Sequence, residues 1–456
     1  MLSISTAALM SLVALAIVII ISCINEELNP GFLSIFFAII VGAGFGGLKV
    51  TAILEGWPIQ LFMILLGVTF MFAIAQQNGS ITKFSAYAVR LAKGNTALIP
   101  LIIFLLVTLI ATIGPGNIAA TALMAPVAMA IAARINMSAF LMTLLVVGAA
   151  NGAAFSPFAP TGIISMGLVS KMAGALGITQ SVTALEWKIH FNSEVAQGLV
   201  NVGGFFVLGG WAWITRQRGA AINIDEIAPK PEPFDSKQWL TLGSIGALIV
   251  LVMLPGLPMT KALLAPWAAQ MLVNVGTVAF LLSGILMLFN VADVKESIKR
   301  VPWGVMIMVC GVTVLIDVME KTGGLNAIVK MIGAISNPTS VHFWLGLFTG
   351  VISAYSSSSG VVMPMFLPLV PGLMKELGLM GTPAQVQHAI DMISSINIGA
   401  HLVDTSPLST LGALCIACAG EHEDKAKLFR NLLIWGLSMS VVGAVVCWLF
   451  FGILHF

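Results

Sequence analysis

Two stretches of this sequence interrupt long apolar runs in the same way. Residues 151–163 read NGAAFSPFAPTGI, and residues 401–412 read HLVDTSPLSTLG. When Ser156 is aligned with Ser406, 250 positions later, both serines precede a proline and both are followed six residues on by a glycine. Proline and glycine end helices, and serine competes for backbone hydrogen bonds. We therefore predict two membrane-spanning helices that break at equivalent places.

The chain around these breaks is too apolar for a water-soluble protein. It is 58% hydrophobic and 9% charged, whereas soluble domains carry about 25% charge. About 20 apolar residues are needed to cross a hydrocarbon core of about 30 Å as a helix, so we predict an all-α polytopic membrane protein. A net charge of +2 without a basic block excludes nucleic acid as a partner. The candidate spans are 5–23, 31–47, 59–77, 138–175, 194–215, 239–255, 264–290, 304–319, 384–419 and 428–453.

Two more apolar blocks, 97–133 and 342–370, are long enough to enter the membrane and return. Each is interrupted near its middle, the first by Gly-Pro-Gly-Asn at 114–117 and the second by Ser-Ser-Ser-Ser-Gly at 356–360. Irregular backbone is tolerated at membrane depth only where it faces protein or a wet cavity. Both blocks are therefore predicted to be re-entrant hairpins with polar tips.

The two halves of the chain have the same order of features. Gly67-Val68-Thr69, ahead of the first hairpin, recurs 244 positions later as Gly311-Val312-Thr313, ahead of the second. The pattern divides the chain into repeats at 1–215 and 239–456, joined by a polar linker at 216–238. Each repeat has five spans plus one re-entrant hairpin, and because five is odd the second repeat is predicted to be inverted. Inverted repeats with paired broken helices are typical of secondary transporters.

The positive residues predict the orientation, because cytoplasmic loops carry an excess of Lys and Arg. One assignment places 14 of the 21 Lys and Arg residues inside. It puts both termini outside the cytoplasm and the linker inside it. We expect the protein in a bacterial inner membrane.

The four polar breaks are expected to converge near the middle of the bilayer. Helix N-termini there present free N–H groups and suit an anion, whereas unwound carbonyls and hydroxyls suit a small cation. A bound Na⁺ beside the anion would couple the two fluxes. The predicted anion-binding residues are Asn117, Ser156, Pro157, Thr161, Ser358, Ser359, Thr405, Ser406 and Pro407. The predicted Na⁺ ligands are Gly116, Asn117, Asn151, Ser156, Ser357, Ser358, Asp404 and Thr405.

Asp404 is the most informative single residue, because an ionisable group at membrane depth is costly and indicates function. The matching position in the first half is Ala154. Asp404 could coordinate a cation, titrate a proton, or cap a helix at the break. His401, beside it, is either a proton carrier or a hydrogen-bonded structural histidine.

These motifs together resemble the ion transporter superfamily, which includes the divalent-anion:sodium symporters. The stretch IGPGNIAATALMAPVAMAIA at 113–132, together with NGAAFSPFAPTGI, is most similar to the malonate/dicarboxylate carrier (MatC-type) branch. The resemblance covers essentially the whole chain. It implies an elevator-type transporter, usually a homodimer, that carries a small dicarboxylate such as malonate or a C4 diacid.

The hairpin tips depart from the family pattern. The divalent-anion symporters have Ser-Asn-Thr at each tip. Here the corresponding positions hold Gly-Asn-Ile at 116–118 and Ser-Ser-Gly at 358–360. Only Asn117 and Ser358 match residue for residue, so the substrate and one cation site are the features that this departure puts in question.

Other functions remain open from the sequence alone. A transporter of another small anion, such as a tricarboxylate, sulfonate or oxyanion, could work by proton coupling or exchange, and an anion channel could also use re-entrant loops. An enzyme is not expected, because no HExxH or GxSxG motif occurs. Asp391 and Asp404 would lie about 20 Å apart along one helix, too far for a protease dyad. No cofactor is expected, and Cys415 and Cys418 are interpreted as core residues.

Overall fold

The computed structural model describes residues 5–24, 28–90, 95–179, 181–217, 225, 230–254, 265–420 and 423–455. Helices dominate these residues and no β-strand occurs among them, as the all-α prediction requires. The helices of the first half are α1 (Thr6–Ile24), α2 (Pro30–Gly44), α3 (Val50–Leu54), α4 (Ile59–Gln77), α5 (Ser80–Val89), α6 (Ile99–Ile113), α7 (Gly116–Arg134), α8 (Ala139–Ala153), α9 (Pro160–Met172), α10 (Val182–Phe205) and α11 (Trp211–Arg216).

The second half begins at α12, which starts at Ser236, two residues before the predicted end of the linker at 238. Much of that linker lies outside the described residues. Asp235 and Gln238 form a capping box that starts α12. The helices of the second half are α12 (Ser236–Met253), α13 (Pro266–Val273), α14 (Val275–Leu288), α15 (Val294–Arg300), α16 (Trp303–Thr322), α17 (Gly324–Ile335), α18 (Val341–Ser353), α19 (Met363–Phe366), α20 (Val370–Glu376), α21 (Gln385–Leu402), α22 (Thr410–Ala417) and α23 (Lys425–Cys447).

Helices of one half cross helices of the other at matched glycines. The first-half helix α2 packs along α16, and in the reciprocal crossing the second-half helix α14 packs along α4. A Cβ on Gly67 would come within 2.6 Å of the carbonyl oxygen of Gly276, and one on Gly311 would overlap the backbone of Gly31. Gly31 corresponds to Gly276, and Gly67 to Gly311, at nearly the offset of the sequence repeat. Because these four glycines carry no side chain, both pairs of helices can approach closely, as helices with small residues do in membrane proteins.

The two predicted helix breaks have the same local structure. The Ser156 hydroxyl accepts a hydrogen bond from Phe158 N at 3.3 Å, and the Ser406 hydroxyl accepts one from Leu408 N at 3.2 Å. Each serine carbonyl also accepts a backbone bond from the residue three positions later. The breaks are therefore equivalent turns, α8 to α9 in the first half and α21 to α22 in the second.

The hairpin tips are built differently. In the first, α6 and α7 meet at Gly114 and Gly116, whose φ values of +148° and +78° favour glycine. A Cβ on Gly114 would overlap the Phe72 ring, and one on Gly116 would lie 2.8 Å from the Pro160 ring. The first tip thus ends inside the protein at the break between α8 and α9. In the second, α18 returns through a π-helical turn, Ser358–Val362, before α19.

Six stretches are long and apolar enough to cross a membrane, by length and composition, within the described part of the chain. They support an integral membrane protein. Both arms of the first hairpin are among them, so the lengths of the arms do not distinguish a re-entrant hairpin from two complete spans. The six are Val50–Gln77, Thr96–Ile113, Gly116–Arg134, Val182–Arg216, Trp303–Thr322 and Lys425–Ile453.

Two predicted spans have different bounds in the structure. The helix predicted to begin at residue 194 begins at Val182. The prediction missed its first turns because they carry polar residues, which a hydropathy scale assigns to water but which here pack inside the protein. Glu186 and Asn192 are examples of such buried residues. The span predicted over 264–290 is two helices, α13 and α14, divided at Asn274, whose side chain caps α14 by accepting from Thr277 N.

Candidate functional site

A cavity of about 860 Å³ lies where the two hairpin tips meet the two helix breaks. This volume is in the range of small-molecule sites. Three helices begin at its wall: α7 at Gly116, α9 at Pro160 and α22 at Thr410. Their first N–H groups and positive dipole ends favour a negative ligand. The sequence-predicted residues that line it are Gly116, Asn117, Thr161, Ser357, Ser358, Ser359, Asp404 and Pro407.

The first hairpin is tied to both breaks through asparagine side chains. The Asn117 amide donates to Asn151 Oδ1 at 2.9 Å, and the Asn151 amide donates to the His401 carbonyl oxygen at 3.0 Å. Asn117 is 7% exposed and Asn151 1%. Asn151 therefore does not line the cavity but holds Asn117 in place from behind. Asn151 was predicted as a Na⁺ ligand, but in this arrangement its side-chain oxygen accepts the hydrogen bond from Asn117.

The second hairpin has a matching link to its own break. Ser359 Oγ lies 3.0 Å from His401 Nε2, and His401 Nδ1 lies 2.9 Å from the Asn397 carbonyl oxygen. Since a carbonyl can only accept, Nδ1 carries a proton, and in the neutral ring Nε2 accepts the Ser359 proton. Ser359 also lies 3.4 Å from Thr161 Oγ1, which belongs to the other break. His401 occupies the repeat position of Asn151, 250 residues later, so the two hairpins are held in corresponding ways.

One acidic contact has no counterpart in the first half. Ser358 donates to Asp404 Oδ1 at 2.7 Å, and Ser353 Oγ lies 2.8 Å from Ser358 Oγ. The corresponding first-half positions are Gly116 and Ala154, which carry no polar side chain. Asp404 is 5% exposed and lines the cavity. The site therefore contains one buried carboxyl group whose oxygens, with that of Ser358, could bind a small hard cation.

The remaining predicted residues lie behind the cavity wall. Ser156 and Ser406 are at most 1% exposed, and their hydroxyls accept the turn bonds described above. Pro157 and Thr405 are buried beside them. Among the described residues, these four are absent from the lining. The hydroxyl contacts of Ser156 and Ser406 indicate that these two serines shape the breaks. Ser357 lines the cavity, and its hydroxyl also accepts from Gly360 N at 3.0 Å, which starts the π-helical turn.

Arg300 is a cavity residue that the sequence did not reveal, because no Lys or Arg lies within the polar breaks. It ends α15 and lines the cavity together with Gln76 and Pro302. Arg300 is exposed, and within the described part of the chain its guanidinium forms no ion pair. A positive charge there would attract anions toward the cavity. The feature of the sequence that could have indicated Arg300 was the short charged segment just before the α16 span.

A buried polar cluster behind the breaks was also missed. Ser165 donates to Glu186 Oε2 at 3.0 Å and receives a bond from the Asn397 amide at 3.3 Å. All three side chains are fully buried. Asn397 in turn accepts from His401 through its carbonyl, so the cluster is connected to the second hairpin. Glu186 lies in the part of α10 that hydropathy failed to include.

The first third of the chain matches a known family. Residues 5–154 match the family model described as dicarboxylate carrier protein MatC N-terminus. The match confirms the resemblance to the malonate/dicarboxylate carrier branch over α1 to α8, which include the first hairpin. A search of curated proteins found no match.

Solved structures of two transporters share the fold. MtrF of Neisseria gonorrhoeae, described as one of a class of antimetabolite efflux pumps, has 13% sequence identity and a TM-score of 0.56, over 91% of this chain and 84% of that chain. The YdaH transporter of Alcanivorax borkumensis has 16% identity and a TM-score of 0.54, over 88% of this chain and 87% of that chain. At these identities the similarity establishes the fold, which this chain has in common with both transporters.

Proposed function

We propose that the protein is a secondary active transporter that carries a small dicarboxylate together with a coupling cation. The observation that carries the proposal is the cavity between two hairpins and two matched helix breaks, at whose wall three helices begin. A carrier needs a binding site that can be exposed to each side in turn, and paired discontinuous helices supply such sites in secondary transporters. A channel needs a continuous pore instead.

The chemistry of the wall favours an anion. Helix N-termini from both halves face the cavity, with the Thr161 hydroxyl and the second amide hydrogen of Asn117 beside them as donors. The protons of Ser358 and Ser359 are directed at Asp404 and His401 instead. N–H and O–H donors bind carboxylate oxygens without needing a buried guanidinium. The MatC-type match of residues 5–154 supports a dicarboxylate, and malonate or a C4 diacid is the proposed substrate.

Asp404 supports cation coupling. A carboxylate beside a dianion would repel it, unless a cation lies between them or a proton neutralises it. Oxygen atoms of Asp404, Ser358 and the nearby backbone suit Na⁺, which we favour over H⁺ as the coupling ion. Binding of the cation would then favour binding of the anion, and the two would cross together.

The lining of the cavity reaches the ends of several helices. Its outer lining includes Pro30, Gln76, Arg300 and Pro302, at the helix ends that the Lys and Arg count assigns to the cytoplasm. With that orientation the cavity would open toward the cytoplasm, and we propose that this arrangement is an inward-open state. We propose that the hairpins and broken helices move as a transport domain of inverted repeats in an elevator mechanism, within a homodimer in the bilayer.

Uptake of labelled malonate and succinate into proteoliposomes, under imposed Na⁺ or H⁺ gradients, tests the proposal. Gradient-driven accumulation above the equilibrium level is expected with Na⁺ and not with K⁺. Citrate, a sulfonate and phosphate in the same assay test the other anions, and preloaded vesicles test exchange and efflux. If no diacid accumulates with any gradient, the proposed function is wrong; single-channel currents in a planar bilayer would indicate a channel instead.

A further inference from the structure

A cluster of metal-ligating side chains lies away from the cavity, where α21 begins. His388 and Asp391 are three residues apart on α21, so they share one face of the helix. His455 reaches the same place from the segment that follows the π-helical end of α23. The ligating atoms of the three side chains all lie within 4.8 Å of one another.

The Asp391 carboxylate is incompletely satisfied. Its side chain has no exposed surface, and its Oδ1 accepts a hydrogen bond from Gln387 Nε2 at 2.6 Å. Its Oδ2 accepts no hydrogen bond from the described residues and faces His455 Nδ1 at 3.7 Å, beyond hydrogen-bond length. A buried oxygen of this kind costs free energy unless something positive binds it. It is directed toward the two imidazoles.

The set of ligands suits a borderline-soft divalent metal. Two imidazole nitrogens and one carboxylate oxygen form the three-ligand set that binds Zn²⁺ with water in the fourth position. The His388 and His455 rings lie 5.9 Å apart between centroids, at 78° to one another. Zn²⁺ takes ligand nitrogens at about 2.0 to 2.1 Å, so the three side chains have to move closer together when they bind one ion.

Partners in the next layer already hold the carboxylate. Gln387 donates to Asp391 Oδ1, and Lys188 of α10 in turn donates to Gln387 Oε1. Hydrogen bonds of this kind orient metal-binding carboxylates and typically change metal affinity about 10- to 100-fold. Oδ2 is thereby left directed at the histidines as the free ligand atom.

We propose that His388, Asp391 and His455 bind one Zn²⁺ ion per chain. The ion joins the segment after α23 to the first turns of α21. Asp404 follows Asp391 by thirteen positions, so the ion lies about 20 Å along the helix from the cavity. It is a site separate from the anion and from its coupling cation, and it exists whether or not the proposed transport function is right.

The test is direct metal binding to the full-length protein in detergent. The protein is purified with an affinity tag other than polyhistidine, stripped with a chelator, and dialysed against buffered Zn²⁺ before bound metal is counted by mass spectrometry. One Zn²⁺ per chain is expected, and its removal by chelator should lower the midpoint of thermal unfolding. Substrate uptake is not needed for either readout.

Four variants distinguish this site from other ligands. His388→Ala and His455→Ala should each weaken Zn²⁺ binding more than about 100-fold, since loss of a ligand exceeds loss of a second-layer partner. Asp391→Asn retains the shape of the side chain and should weaken binding too, which keeps the test valid if an alanine variant folds poorly. Cys418→Ser, which removes a half-buried thiol elsewhere, should bind as wild type. Absence of stoichiometric Zn²⁺, or binding unchanged in both histidine variants, would overturn the proposal.

Discussion

Replacing Ser358 with alanine removes the hydrogen bond that the second hairpin gives to Asp404. The Ser358 hydroxyl donates to Asp404 Oδ1 at 2.7 Å, while Ser353 keeps an acceptor of its own, the Ala400 carbonyl oxygen at 2.6 Å. The substitution therefore leaves one principal defect, a buried carboxyl group that loses the donor from the second hairpin and keeps the one from Ser409. Hydrogen bonds to charged groups are worth about 1.5 to 3 kcal/mol.

At about 1.4 kcal/mol for each tenfold change in affinity, Ser358→Ala should weaken cation binding about 10- to 100-fold. Under the proposed coupling, the Na⁺ concentration for half-maximal diacid uptake in proteoliposomes should rise by that factor. Ser438→Ala is the control, because the Ser438 hydroxyl is exposed and bonds only to its own helix at the Trp435 carbonyl oxygen. Thermal unfolding of both variants should confirm that they are folded.

A double-mutant cycle makes the result specific to the contact. Asp404→Asn should impair coupling by itself, and adding Ser358→Ala to it should cost little more, because the bond is already altered. Unchanged Na⁺ dependence of uptake in Ser358→Ala would refute this account of the site. So would effects of the two substitutions that simply add.

Three more outcomes are expected. Asn117→Ala should abolish diacid uptake while the protein stays folded, as judged by gel filtration and thermal unfolding; normal uptake would mean that the first hairpin tip does not form the site. Gly162→Ala and Gly412→Ala should each lower the free energy of unfolding by about 1 to 3 kcal/mol in denaturant unfolding. The added Cβ would overlap the carbonyl oxygen of the break serine and would also lie 2.7 Å from a second backbone oxygen at Gly162 and 2.8 Å from one at Gly412. Gly198→Ala is the control, because open space surrounds Gly198. Arg300→Gln should raise the KM for a dianion more at low than at high ionic strength, and an equal rise at both would exclude steering by its charge.

The sequence alone determined the features that depend on local composition. An apolar chain with few charges has to lie in lipid, and Ser-Pro with a nearby glycine favours a break in a helix. Two such interruptions, 250 residues apart, therefore predicted the equivalent turns at Ser156 and Ser406 before any contact was known. The hairpin tips followed in the same way from glycine, proline and serine in apolar surroundings.

Hydropathy failed where polar side chains are buried against protein instead of facing water. The first turns of α10 read as aqueous because Glu186 and Asn192 lie there, yet both are buried. A linear window averages over neighbours in sequence and cannot know which of them face another helix. The early start of α10 was hidden for that reason.

Only the tertiary structure decided which polar residues reach the ligand space. Ser156 and Ser406 resemble site residues in sequence, but their hydroxyls close the turns that carry them, whereas Arg300 comes to the cavity from a helix outside every motif. The contact from the Asn151 amide to the His401 carbonyl joins positions 250 residues apart. Such a bond forms because packed helices bring distant groups together. Whether a side chain binds a ligand or instead holds a ligand-binding side chain in place is therefore determined by its neighbours in the fold more than by its neighbours in the sequence.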